Sequence, residues 1–87
     1  KEFILYQNYP NPFNPLTTIR YAIPENGDVR LTVHDILGRK LATVVSEHQR
    51  AGYYKTEFDG SHLSSGVYFY KISAGQFSQV EKMILMK

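Results

Sequence analysis

From Thr17 to Met86 apolar side chains recur at alternate positions, in short segments broken by glycine-bearing turns. A two-residue period puts apolar groups on one face of a pleated strand, whereas an amphipathic helix needs them every three or four residues. Ile19, Tyr21 and Ile23 form one such set, opposite Thr18, Arg20 and Ala22. Val29, Leu31 and Val33 form the next, opposite Arg30, Thr32 and His34, and Tyr54, Thr56 and Phe58 follow, opposite Lys55 and Glu57. Tyr68, Tyr70 and Ile72 face inward if Lys71 faces water. With Leu41 to Glu47 and Phe77 to Met86 this makes six strands, and Phe3 to Tyr6 supplies a short seventh. The Asn26-Gly27 signal reads the first two long strands as a hairpin, although a sandwich could place them on separate sheets. A second reversal spans Asp35 to Lys40, where Gly38 supplies a positive φ. Ala51-Gly52, Asp59-Gly60, the Ser61 to Gly66 loop and Ala74-Gly75-Gln76 punctuate the rest.

Strands spaced by about a dozen residues predict an all-β fold, an immunoglobulin-like antiparallel β-sandwich of about six to seven strands. Val, Ile, Thr, Tyr and Phe far outnumber Ala, as that reading requires. Eighty-seven residues are too few to close a second core, so residues 1–87 read as one domain. All four prolines, Pro10, Pro12, Pro15 and Pro24, lie near the front. Each biases its predecessor towards extended geometry, so residues 1–16 read as an extended Pro/Asn-rich lead-in arm. The start at Lys1, without an initiator Met, suggests a piece of a longer product.

Reactive chemistry finds little footing. There is no cysteine, and the net charge of +2 is spread without a basic run, which argues against a nucleic-acid surface. No apolar run approaches the ~20 residues of a membrane helix. His34, His48 and His62 lack the close pairing of metal ligands and read as surface residues. Asp59, His62, Ser64 and Ser65 hold the letters of a hydrolase triad, but sit in a segment composed like an ordinary turn. No phosphate loop is present and no cofactor is expected. Tyr6, Tyr9, Tyr53 and Phe69 are candidates for exposed aromatic faces that stack on sugars. An unpaired edge at Phe77 to Met86, or the arm from Phe3 to Thr18, could add to a neighbouring sheet.

Read in order, several segments resemble a known family. The run Leu5-Tyr6-Gln7-Asn8-Tyr9-Pro10-Asn11-Pro12-Phe13-Asn14-Pro15-Leu16-Thr17-Thr18-Ile19, then Ile23-Pro24, is similar to the opening of type A C-terminal sorting domains of the bacterial type IX secretion system. Val29 to Arg39 resembles that family's second strand and turn, with His34 where an aromatic residue is common. Ala51-Gly52-Tyr53 and Phe58-Asp59-Gly60 resemble its Ala-Gly and Trp-Asp-Gly elements, Phe58 standing for Trp. Ser65 to Ile72 and Lys82 to Lys87 resemble its closing Gly-x-Tyr strand and Lys-bearing terminal strand. The immunoglobulin-like domain of flagellar hook-capping proteins shares part of this pattern.

The resemblance implies a non-catalytic module that follows a larger passenger lying N-terminal to Lys1. It implies passage through the periplasm, an outer-membrane translocon and a sortase-like peptidase as partners, and a secreted or cell-surface destination. The recognition residues would be Gly66, Tyr68, Lys82 and Lys87, with Asn11, Pro12, Asn14 and Pro15 shaping the arm. The rival readings are a carbohydrate-binding module and a structural module that self-associates through edge strands.

Overall fold

The computed structural model describes residues 2–87, all strand, bridge, turn or coil. Strand β1 covers Ile4–Leu5, β2 Leu16–Ile23, β3 Gly27–His34 and β4 Lys40–Gln49. Strand β5 covers Gly52–Asp59, β6 Gly66–Ala74 and β7 Phe77–Leu85. They form two antiparallel sheets, sheet A in the order β1-β2-β5 and sheet B in the order β4-β3-β6-β7. This is the expected sandwich. The hairpin reading of the first two long strands fails, because β2 and β3 lie in different sheets. Ile23 and Val29 are both buried, so the connection through Pro24 to Asn26 carries the chain across the core. Strands β3 and β4 form a hairpin, as do β6 and β7, and Gly38 and Gly75 take positive φ of 84° and 61° in their turns.

The inward sets meet as the alternation demands. Ile19, Tyr21 and Ile23 from sheet A face Val29, Leu31, Val33, Tyr70, Ile72, Met83 and Leu85 from sheet B. Each such side chain contributes about 1.5–3 kcal/mol on burial, which a small, disulfide-free core needs. Two residues assigned to the wet side are buried, Ala22 and Thr32. Both sit on central strands, where side chains of the flanking strands cover even the outer face. Ala22 lies between Ile4 and Tyr53, and Thr32 between Thr43 and Lys71. Strand β4 extends to Lys40 and Gln49, beyond the expected Leu41 to Glu47. It carries two register shifts against β3, which absorb the extra residues and blur its alternation.

The lead-in arm is not a free strand. Tyr9 pairs with Thr18 through reciprocal backbone bonds of 3.0 and 2.9 Å, and Phe13 crosses to the far sheet to bridge Leu85 in parallel. Phe13 is 1% exposed, with its ring edge-on to Phe58 at 6.3 Å. One buried aromatic therefore pins the arm over the end of the sandwich.

Candidate functional site

The arm and the end of β7 form a single seam. The Phe13 N–H donates to the Ile84 carbonyl at 2.9 Å, and the Met86 N–H donates to the Phe13 carbonyl at 2.9 Å. The Asn11 side-chain oxygen accepts the Ile84 N–H at 2.9 Å, and the Gln7 amide donates to the Lys82 carbonyl at 2.7 Å. The Gln79 side chain reaches back to the Leu5 carbonyl at 3.4 Å. Backbone groups along Lys82 to Met86 that face away from β6 are thus occupied by the chain's own N-terminal segment.

The residues singled out from the sequence divide between this seam and its surroundings. Asn11 belongs to it directly. Pro12 and Asn14 are exposed on either side of the buried Phe13, and the Pro15 carbonyl accepts the Gly60 N–H at 2.8 Å. Gly66 opens β6 opposite Leu85, and Tyr68 lies opposite Met83. Tyr68 faces the core and donates its hydroxyl to the Ser64 carbonyl at 2.7 Å, so it offers no open surface. Lys82 points the other way, opposite Phe69 on the outer face of sheet B. Lys87 folds onto the β5–β6 loop, its Nζ donating to the Ser61 carbonyl at 2.7 Å and its backbone N–H to Ser65 Oγ at 3.0 Å. Of the four proposed recognition residues, only the two lysines present charge to solvent.

The outer face of sheet B gives Lys82 company. Strand pairing sets His34, Phe69 and Lys82 in one row with Lys40, and Thr32, Lys71 and Val80 in the next, while Arg30 lies two residues along β3. Lys40, Arg30, Lys71 and Lys82 are all exposed. Asp28 is the acidic residue of this face, 3.1 Å from His48 at its far end. At the near end Asp35 holds the β3–β4 turn, accepting the Leu37 and Arg39 N–H groups and the Arg39 guanidinium. Partial desolvation of Asp35 works against its ionisation, but those bonds outweigh it and hold the carboxyl below its ordinary range.

A second set of interactions, illegible in the sequence, anchors the arm from beneath. Asn8 is 2% exposed and donates its side-chain amide to Thr17 Oγ1 at 2.9 Å and to the Pro10 carbonyl at 3.1 Å. Thr17 Oγ1 donates to the same carbonyl at 2.9 Å. The Tyr70 hydroxyl accepts the Asn8 N–H and donates to the Tyr6 carbonyl, both at 2.7 Å. Burial pushes the Tyr70 phenol up to about 12, although the Asn8 N–H favours the phenolate. Nothing in the sequence marks Asn8 out from Asn11 or Asn14, because its burial comes from the fold.

The other candidate groups are scattered. Asp59 accepts the Ser61 N–H at 2.9 Å in a tight turn. That bond, helped by the Ser61 hydroxyl, holds its carboxyl below the usual range, and the charges of His62 and Lys87 add to the effect. His34 bonds Thr32 Oγ1 at 2.9 Å and sits 3.3 Å from the Gly38 carbonyl. Tyr6 and Tyr53 share an open depression of about 400 Å³ on sheet A with Arg20, whose guanidinium lies 5.4 Å above the Tyr6 ring. Phe69 belongs to the opposite face, and Tyr9 is exposed on the arm. The four aromatics therefore do not form one platform.

A small two-sheet sandwich whose N-terminal arm seals its terminal strand defines an immunoglobulin-like β-sandwich domain. Residues 7–86 match the secretion system C-terminal sorting domain, and the chain belongs to this type IX secretion family. No curated protein matches it. Among solved structures it is similar to PorZ of Porphyromonas gingivalis, described as an essential bacterial surface component of the type IX secretion system. That likeness has a TM-score of 0.65 and 21% identity over 95% of this chain, which corresponds to 11% of the PorZ chain.

Proposed function

We propose that this domain carries a passenger located before Lys1 across the outer membrane and to the cell surface, through the type IX translocon and a sortase-like peptidase. The observation that carries this reading is the seam. The arm that would follow the passenger is hydrogen-bonded to the terminal strand at Lys82, Ile84 and Met86, so both ends of the signal are presented as one folded surface. Lys82 stands out from that surface diagonal to Lys71, with Lys40 at the opposite edge of the same face, a cationic face suited to an acidic receptor.

The test is a reporter-secretion assay. Residues 1–87 are fused behind an exported fluorescent protein in a type IX-competent cell, and medium, surface and periplasm are compared. Deleting Phe77 to Lys87 also removes Met83 and Leu85 from the core, so unfolding would confound that truncation. Lys82→Glu with Lys87→Glu leaves the core untouched. Periplasmic accumulation of the folded double variant supports the reading, and secretion equal to the parent overturns the role of the lysines. Periplasmic retention of the unaltered fusion overturns the sorting role itself.

A further inference from the structure

Among the described residues, three of the four sheet edges are short, bent or covered, and the fourth is none of these. Strand β1 is two residues long, β4 is bent by two register shifts, and the end of β7 is covered by the arm. Short, bulged or covered edges do not template the addition of another strand. Strand β5 is full-length, straight and uncovered, pairing with β2 from Gly52 to Asp59 without a register shift and with no strand on its other side among the described residues.

We propose that β5 pairs antiparallel with β5 of a second copy, about a two-fold axis at Thr56, to give a continuous six-stranded sheet. Which backbone groups are free follows from the hydrogen bonds. The Thr18 N–H and carbonyl, and the Arg20 carbonyl, bond the arm, so the even residues of β2 turn away from β5 and the odd ones turn towards it. Thr17, Ile19, Tyr21 and Ile23 lie opposite Phe58, Thr56, Tyr54 and Gly52, so the even residues of β5 are satisfied. The N–H and carbonyl groups of Tyr53, Lys55, Glu57 and Asp59 point outward.

Centring on Thr56 sets those odd residues opposite odd residues. Lys55 then faces the second copy's Glu57 and Glu57 faces its Lys55, both on the outer face. Tyr54 meets the second copy's Phe58 on the inner face, twice by symmetry. Moving the axis one residue to Lys55 opposes two lysines, and moving it to Glu57 sets Lys55 against Asp59 but opposes two glutamates at the axis, so of the three only the Thr56 register joins opposite charges with no like pair. Opposite charges across a pair stabilise and like charges destabilise, so the sequence of β5 selects its own register. Symmetric pairing of one strand with itself is the simplest closed assembly, leaving no further free edge in this sheet apart from the two-residue β1.

The test measures the mass of the 87-residue chain by sedimentation as concentration rises. The expected result is approach to twice the 10.0 kDa chain mass. Lys55→Glu and Glu57→Lys each convert both opposite-charge pairs into like-charge pairs on an exposed surface. Each alone should weaken association by about tenfold or more, and mixing the two variants should restore it, because the mixed pair is complementary again. Thr56→Cys, the sole cysteine, should then form an intermolecular disulfide on mild oxidation, since only this register places residue 56 against itself. A chain that stays at 10.0 kDa up to millimolar concentration overturns the proposal. So does a dimer indifferent to both charge variants, which would locate association on another surface.

Discussion

The Tyr70 hydroxyl, set on a central strand of sheet B, accepts the backbone N–H of Asn8 in the lead-in arm at 2.7 Å. The same oxygen donates to the Tyr6 carbonyl at 2.7 Å, so one phenol satisfies two backbone groups of the arm before it reaches Phe13. Replacing Tyr70 with Phe keeps the ring and strands both groups. An unsatisfied buried polar group costs about 1–3 kcal/mol, and denaturant unfolding should show a loss of that size. Limited proteolysis should show faster cleavage between Tyr6 and Pro12 in the variant.

Alkaline pH acts on the same bond. The Tyr70 phenol ionises at about 12, above the ordinary value near 10, because burial disfavours the phenolate. Its folded-state value is raised, so the stability linked to it is fully present below the unfolded value and is lost as pH rises through the folded one. Unfolding free energy should hold up to about pH 10 and fall between about 10 and about 12. Tyr21, also raised by burial despite its 2.7 Å bond to Gln49, acts in the same direction. Absorbance at the phenolate band should show Tyr70 ionising only as the fold is lost. Ionisation of Tyr70 near the ordinary value of about 10 with the fold intact would contradict the Asn8–Tyr70 geometry.

Gly60 sits tightly under the arm and the terminal strand. A Cβ there would stand 3.2 Å from Phe13 Cε2 and 3.3 Å from Leu85 Cδ2, the two side chains that join arm to terminal strand. Gly60→Ala should cost about 1–3 kcal/mol, as overpacking of a filled site does. The chemical-shift changes should centre on Phe13 and Leu85.

Asn11 offers a milder probe of the seam. Its bond to the Ile84 N–H is exposed, so Asn11→Ala should cost only about 0.5–1.5 kcal/mol. Hydrogen exchange should accelerate at the Ile84 amide while the Phe13 amide, donating to the Ile84 carbonyl, keeps its protection. Uniform acceleration along the arm would show that Asn11 fixes the whole segment.

The Lys82 side chain shows how a motif and its presentation separate. The sequence places it on a terminal strand among family-like residues, and the β6–β7 register turns it outward while Tyr68, from the same set, turns in. Lys40 and Arg30, elsewhere on the same outer face, come from distant segments, and only sheet pairing brings them to one face.

The sequence by itself determined the strands, their inward faces and the positive φ at Gly38, because alternation and turn chemistry are local properties. It also carried the family pattern from the arm to Lys87. Tertiary structure decided that β2 and β3 part company between sheets, that Asn8 and Thr17 are buried, and that the arm seals β7 while β5 stays open. Each of those depends on which distant segments meet, and the backbone hydrogen bonds of Phe13 and Met86 leave no trace in side-chain pattern.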